Sequence, residues 1–169
     1  MKAFKLTILT FFFLFIYNYA SSQNILINVL TKNAGILRLG ETGLVEISIN
    51  NTSSTTAVPV YKIRPQISFP VSLVNISDTR HILPKGWSII SNSEGVIRLS
   101  NGTDQIQPHD SRTLLIAFTG INKGGPLTIS GNVLFSNGVF PGSASGPATT
   151  GDNAADNSSA TTCEVVKKD

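Results

Sequence analysis

Three consecutive residues, His109, Asp110 and Ser111, carry the side-chain types of a hydrolase triad. In such a triad the base takes a proton from the serine hydroxyl while the acid orients the base, so the three residues must converge from separated positions. Neighbours at the entrance of a strand cannot adopt that arrangement. The segment therefore predicts a turn held by local backbone hydrogen bonds.

Metal-ligating side chains are few. Two histidines and one cysteine are too few for a zinc-like ligand set, so His81 is predicted to be a surface histidine. Asp152, Asn153, Asp156 and Asn157 gather oxygen ligands of the kind that calcium prefers within one glycine-led loop. The spacing differs from that of an EF-hand loop and no bidentate Glu follows at the required distance. A solvated turn is predicted there, and calcium binding stays open.

No acid/base pair in an enclosed pocket is recognisable in the sequence. We therefore predict no catalytic, cofactor-binding or metal-binding residues, no cofactor, and a protein that is not an enzyme. The Asn-x-Ser/Thr sequences at Asn51, Asn75, Asn101 and Asn157 predict surface loops.

The N-terminus has the layout of a secretory signal peptide. Met-Lys-Ala-Phe-Lys precedes an apolar run at residues 6–17. That run is too short for a membrane span, which needs about 20 residues. Ala20 and Ser22 fit the small-residue positions of a cleavage site, so the predicted cut lies before Gln23. The sequence predicts a signal peptide at residues 1–22, a secreted or cell-surface protein, and no membrane span after cleavage.

The charge and the length of the remaining chain limit its possible partners and its number of domains. Without Lys2 and Lys5 the 13 basic residues fall to 11 against 10 acidic ones, so the formal charge drops from +3 to +1. This balance lacks the dense basic surface that neutralises a phosphate backbone, which argues against nucleic acid as a partner. Residues 23–169 suffice for one core. Cys163 is the single cysteine, so no internal disulfide can form.

Period-two alternation of apolar residues dominates after the signal, and helical periodicity is absent. The residues predicted to face inward on three strands are Ile25, Ile27 and Val29, then Val45, Ile47 and Ile49, then Leu114, Ile116 and Phe118. On the next strand Leu127, Ile129, Val133 and Phe135 are predicted to face inward. Gly131 falls at an inward position there, where a bulge or close packing is expected.

The middle of the chain is less regular. Pro59, Pro65 and Pro70 interrupt strand-like residues between positions 60 and 76, and a proline cannot donate a ladder hydrogen bond. Edge strands or bulges are predicted there. Residues 87–90 and 96–99 predict a hairpin.

The C-terminal part has two components. Residues 136–159 are rich in Gly, Ser, Ala and Asn and are predicted to be flexible. Residues 160–166 predict a closing strand with Thr161, Cys163 and Val165 on one side. Strands at about 8 to 12 residue spacing, each ended by turn residues, predict an all-β sandwich of two antiparallel sheets with seven to nine strands, formed as one domain by residues 23–169.

Four segments carry a family resemblance in their order. They are Val-Glu-Ile-Ser-Ile-Asn-Asn-Thr at residues 45–52, Leu-Pro-Lys-Gly-Trp at 83–87, Ile-Gln-Pro-His-Asp-Ser-Arg-Thr-Leu-Leu-Ile-Ala-Phe at 106–118, and Gly-Asp-Asn-Ala-Ala-Asp-Asn-Ser-Ser at 151–159. The chain resembles the immunoglobulin-like conserved-repeat and CARDB-type adhesion-related domains of bacterial exported proteins, and its signal and Asn/Ser/Thr-rich composition look like the Bacteroidetes type. The resemblance implies an immunoglobulin-like sandwich, a structural or adhesive role without enzymatic residues, and core packing of Trp87.

These observations predict an exported, non-catalytic structural or adhesion-type interaction module with a protein or glycan partner at the cell surface. The alternative is a carbohydrate-binding β-sandwich module, which needs Trp87 and Tyr61 exposed on one face. A hydrolase or an inhibitor has the least support.

Overall fold

The computed structural model describes residues 23–76, 79–136, 145–146 and 152–168. The predicted signal peptide at residues 1–22 and part of the predicted flexible stretch at 136–159 lie outside the described residues. Within the described ranges no helix is both long and apolar enough to cross a membrane.

Strands account for nearly all the regular structure that is described. Their bounds are β1 Ile25–Thr31, β2 Ile36–Arg38, β3 Thr42–Asn51, β4 Ile63–Ser68, β5 Val74–Asn75, β6 Ser88–Ser93, β7 Val96–Ser100, β8 Ser111–Gly120, β9 Gly124–Ser136, β10 Ser145–Gly146 and β11 Ser158–Val166. Two short 3-10 turns occur at Lys32–Gly35 and Ala154–Asp156. β2, β5 and β10 have only two or three residues, and the longer strands match the predicted number.

The strands form two sheets packed face to face. Sheet A has the order β1-β3-β8-β5, and sheet B has the order β2-β11-β9-β4-β7-β6, with β10 beside β9. The pairings are antiparallel apart from that of β2 with β11, which is parallel. The two-sheet antiparallel sandwich is therefore confirmed, with one parallel pair at an edge.

The alternation in the sequence places the core between the sheets. All nine residues predicted to face inward on β1, β3 and β8 are buried. β3 and β8 stand side by side in sheet A, and the register pairs Val45 with Ile116. Opposite residues in an antiparallel ladder share a face, so one strand's inward row continues in the next.

The strand order is that of an immunoglobulin-like domain. Variable-type domains place A-B-E-D in one sheet and G-F-C-C′-C″ in the other. Here β1-β3-β8-β5 and β11-β9-β4-β7-β6 occupy those places. The chain reaches the β5 position directly after β4, before β6 and β7, whereas the variable-type chain reaches it after C″. The immunoglobulin-like fold is confirmed, with a different route through its middle.

Two predictions for the middle of the chain need correction. β4 lies between β9 and β7 and contains Pro65, so it is an interior strand and not an edge strand. The β4–β7 ladder includes only Gln66 to Ser68, so Pro65 lies beyond its paired part and no ladder hydrogen bond to β7 is lost. Residues 60–62 form a turn in which Tyr61 has a positive φ of 58°. β5 is an edge strand, as predicted.

The last two long strands confirm most of their prediction. Ile129, Val133 and Phe135 are buried, but Leu127 is 40% exposed because it lies in the part of β9 that extends beyond β4. A Cβ on Gly131 would lie 2.5 Å from Val29 Cγ2, so this glycine permits close packing of the sheets. The closing strand β11 is present, with Cys163 and Val165 buried.

Candidate functional site

The residues with triad-like types form a turn. His109 has a positive φ of 64°, its N–H donates to Asn51 O at 2.9 Å, and the Asp110 N–H donates to Gln107 O at 3.1 Å. The Asp110 carboxylate lies 3.6 Å from the Arg112 guanidinium rather than orienting a base. The predicted turn is confirmed.

His81 is not the surface histidine that was predicted. It is half-buried, and its Nδ1 accepts the Ala117 N–H at 3.0 Å. The neighbouring Ile82 exchanges two main-chain bonds of 2.9 Å with Leu115. The imidazole thus replaces a strand carbonyl at the edge of β8, and this bond requires the tautomer that carries its proton on Nε2.

Trp87 belongs to the core, as the resemblance implied. It is 7% exposed, and its Nε1 donates to Asp104 Oδ2 at 2.6 Å. Arg112 donates to the same carboxylate from Nε at 2.7 Å and from Nη2 at 3.1 Å. Burial alone would raise the pKa of Asp104, but the hydrogen bonds from Arg112 and Trp87 outweigh it, so the pKa lies below its ordinary value. Tyr61 is half-buried.

Of the four asparagines that were predicted to mark surface loops, Asn51, Asn101 and Asn157 are buried, which corrects that prediction. The Asn51 amide donates to Thr56 O, Ile106 O and Gln107 O at 2.8–3.1 Å. The Asn101 side chain accepts the Ile63 N–H at 3.1 Å and donates to two loop carbonyls. Both side chains fasten loops at one end of the sandwich. Of the four, Asn75 is exposed.

The loop at residues 152–157, before β11, uses its oxygen-bearing side chains for hydrogen bonds within the domain. Asp152 Oδ1 accepts the Ile25 N–H at 3.0 Å, and Asp152 Oδ2 accepts from the Asn157 amide. Burial, together with the charge of Asp152, raises the pKa of Asp156. In the described part of the chain no three His, Cys, Asp or Glu side chains group as metal ligands. The loop thus fastens itself to β1, and Asn157 at its end is buried rather than solvated as predicted.

Side chains also occupy strand edges that would otherwise be open. The Val29 N–H of β1 donates to Ser159 Oγ at 3.0 Å, and the Arg38 N–H of β2 donates to Glu41 Oε2 at 2.9 Å. Pro126 lies in the part of β9 that β4 does not reach and lacks an N–H. Such features protect edges from unwanted strand pairing.

The outer face of sheet A departs from the polar surface expected of a solvated sheet. The register places Leu30, Glu46 and Leu115 side by side, with Ile82 beyond Leu115 at the edge of β8. Leu44 lies two residues from Glu46 on the same strand. We name Leu30, Leu44, Leu115 and Ile82 the aliphatic stripe. Leu30 is 50% exposed, Ile82 is 60% exposed, and the other two are half-buried.

The surroundings of the aliphatic stripe are mainly polar, and the Arg80 guanidinium borders them by donating to Thr42 Oγ1. Glu46 within it forms an ion pair with Lys32. The adjacent outer positions are Asn28, Ser48 and Thr113 on one side and Thr42 and Thr119 on the other. The result is a group of four aliphatic side chains around one ion-paired glutamate, with a mainly hydroxyl- and amide-bearing rim, a composition typical of a protein-contact surface.

This surface was not predicted from the sequence, although the sequence contains a signal for it. Leu30 follows the inward Val29, Leu44 precedes the inward Val45, and Leu115 stands between two inward residues. Each breaks the alternation by placing an apolar residue on the outer face.

The outer face of sheet B is different. Gln66, Ser68, Asn132 and Ser158 contribute to a shallow polar groove of about 390 Å³ there. It offers hydroxyl and amide groups, and among its lining residues there is no aromatic side chain on which a sugar ring could stack.

No protein family and no curated protein matches the chain. Among solved structures, the fold is similar to that of a cohesin module from a Clostridium perfringens ATCC13124 family 33 glycoside hydrolase, at 12% identity and a TM-score of 0.58, with 86% of this chain and 100% of that chain covered. A CARDB domain from Pyrococcus furiosus, described in complex with di-metal ions, is 10% identical with a TM-score of 0.47, covering 86% of this chain and 90% of that one. An uncharacterized Nocardia farcinica protein with an immunoglobulin-like fold is 14% identical with a TM-score of 0.46, covering 81% and 98%.

These similarities concern the fold. The strand order itself defines the immunoglobulin-like sandwich, and this is the class of protein that the chain represents.

Proposed function

We propose that the chain is exported, that residues 1–22 are removed as a signal peptide, and that the remaining domain acts as a non-catalytic protein-interaction module outside the cytoplasm. The start of the fold supports the position of the cut. β1 begins at Ile25, and the Asn24 side chain bonds Thr52 Oγ1 at 2.6 Å and accepts the Asn153 N–H at 2.9 Å. Cleavage before Gln23 leaves these contacts intact.

The aliphatic stripe carries the proposal. Four aliphatic side chains across the outer face of one sheet remain in contact with water in the isolated domain. Burying apolar surface is favourable by about 25 cal/mol per Å². Aliphatic side chains that are exposed together on one sheet face therefore favour a bound partner over solvent.

Charge defines the kind of partner. Lys32 and Glu46 form an ion pair beside the residues of the aliphatic stripe, so their two charges compensate each other. One further charged residue, Arg80, donates to Thr42 Oγ1 at the rim, so charge of one sign does not dominate this face. The fitting partner is a protein surface with an apolar ridge flanked by hydroxyl or amide groups, consistent with an adhesion-type or structural contact.

The carbohydrate-binding alternative loses its main support. It needed Trp87 and Tyr61 on one exposed face, but the Trp87 ring is buried and its indole N–H is bonded to Asp104. We therefore do not extend the proposal to sugar stacking.

Two variants of the exported protein test the docking face. Leu30→Asp with Ile82→Asp places two charges on exposed positions of the aliphatic stripe, where folding should tolerate them. The matched control is Ser68→Asp with Ser130→Asp on the outer face of sheet B. Binding to a partner identified with the wild type should fall at least tenfold for the first pair and stay unchanged for the second. Equal binding by both pairs would reject this face.

A separate measurement tests export. Mass analysis of protein recovered outside the cytoplasm should give an N-terminus at or near Gln23. A cell-associated product that retains Met1 would contradict the proposed processing.

A further inference from the structure

A second apolar surface lies on the side of the sandwich where β5 and the β6–β7 hairpin approach each other. It is a cleft of about 340 Å³, which we name the β5 cleft. Its apolar lining residues are Val71, Val74, Ile76 and Ile121. Val71 is 56% exposed and Ile121 is 44% exposed, so the cleft opens to solvent through apolar side chains.

The main chain of Ile76, the residue that follows β5, faces this cleft. Asn75 pairs with Thr119 and directs its main-chain groups toward β8. Successive residues of a strand direct these groups to opposite sides. The groups of Ile76 therefore point away from β8, and its C=O accepts from Asn92 Nδ2 at 2.9 Å across the cleft.

The N–H of Ile76 lacks a comparable bond to another described residue. It donates to no other residue in the described part of the chain, although Ile76 is only 5% exposed. A buried main-chain donor without an acceptor is unfavourable. A carbonyl from an added strand would satisfy it.

One charge borders the cleft. Glu94 occupies the tight turn of the hairpin with a φ of 53°, followed by Gly95 with a φ of 78°. It is the charged residue among those lining the cleft, and its carboxylate forms no ion pair with another described residue. A cation on a ligand would therefore gain from binding beside it.

We propose that the β5 cleft binds an extended segment of a partner protein by strand addition, with an aliphatic residue and a Lys or Arg within two positions of it. A main-chain carbonyl of the segment accepts the Ile76 N–H. The aliphatic side chain enters the cleft between Val71 and Ile121, and the cation pairs with Glu94. Main-chain bonds supply affinity in such recognition, and the side-chain pocket supplies specificity.

The β5 cleft shares no residue with the aliphatic stripe. The two proposals can therefore be tested independently, and a substitution in one surface is a control for the other.

Selection from a displayed library of random heptapeptides on the mature protein tests the proposal. The counter-selection target is the Val71→Ser, Ile121→Ser double variant, in which two exposed side chains lose their apolar surface. Peptides in which a Lys or Arg lies within two positions of an aliphatic residue should be enriched on the wild type. Enrichment no greater than on the double variant would overturn the proposal.

Two readouts on a selected peptide locate the contacts. Hydrogen exchange of the Ile76 amide should slow on binding, because the peptide carbonyl protects it. Glu94→Gln should weaken binding about two- to fivefold, as expected for a solvent-exposed ion pair, while Ile82→Ser leaves it unchanged. Unchanged exchange at Ile76 would exclude strand addition, and unchanged affinity of Glu94→Gln would exclude the cation contact.

Discussion

Replacing Asp104 should test how this domain holds its loops without a disulfide. Asp104→Ala leaves the buried Trp87 N–H without an acceptor, which costs about 1–3 kcal/mol. It also removes two hydrogen bonds from Arg112, whose side chain keeps 23% exposure. The ion-pair loss therefore lies nearer the value for an exposed pair, up to about 1 kcal/mol, than that for a buried pair. We expect the free energy of unfolding to fall by about 1–4 kcal/mol.

Two further variants separate the contributions. Asp104→Asn keeps an acceptor oxygen for Trp87 and should cost about 1–2 kcal/mol. Asp110→Ala removes a carboxylate that is about half exposed and 3.6 Å from Arg112, so it should cost less than about 0.5 kcal/mol.

Urea unfolding followed by the fluorescence of the single tryptophan measures all three variants. Because the folded pKa of Asp104 is depressed, its stabilisation is present above the ordinary aspartate pKa of about 3.9 and is lost as the pH falls through and below it. The advantage of the wild type over Asp104→Asn should therefore shrink below about pH 4. Equal losses for Asp104→Ala and Asp110→Ala, or a pH-independent advantage, would refute this reasoning.

Three further predictions concern the core. Ile116→Asp should unfold the domain, because it buries an unpaired charge, whereas Leu115→Asp on the outer face should retain a folded circular dichroism spectrum; equal tolerance would contradict the assigned faces. Gly131→Ala should lower stability by about 1–3 kcal/mol, since its Cβ would lie 2.5 Å from Val29 Cγ2, and an unchanged melting temperature would show that the sheets yield. Cys163 is buried, and burial raises the pKa of its thiol, so it should react far more slowly than a free peptide thiol until denaturant is added. Equally fast native labelling would remove β11 from the fold.

Alternation was sufficient to predict the inward rows of the long strands. A residue at an inward position is buried whichever strands become neighbours, so Val45 and Ile116 could be assigned before their pairing was known. The same logic identified Gly131 as a close-packing position and Cys163 as part of a closing strand. It placed Leu127 wrongly because burial also depends on how far the adjacent strand extends.

The remaining features depend on contacts between distant parts of the chain. The sequence around Pro65 does not reveal that the ladder with β7 begins one residue later. Asn51, Asn101 and Asp104 look like ordinary turn residues, and only the folded chain brings their partners within bonding distance. The aliphatic stripe likewise requires the register, because Leu30 and Leu115 lie on strands separated by β3.

Site-specific photo-crosslinking in cells that export the protein tests directly whether the aliphatic stripe is a docking surface. A photoreactive residue placed at position 30 or 82 lies in the aliphatic stripe, and one placed at position 68 or 130 lies on the opposite outer face. We expect one discrete protein adduct from positions 30 and 82, lost in the Leu44→Asp variant, and no such adduct from positions 68 and 130. The same adducts from both faces, or none from positions 30 and 82, would contradict the assignment of this face as the docking surface.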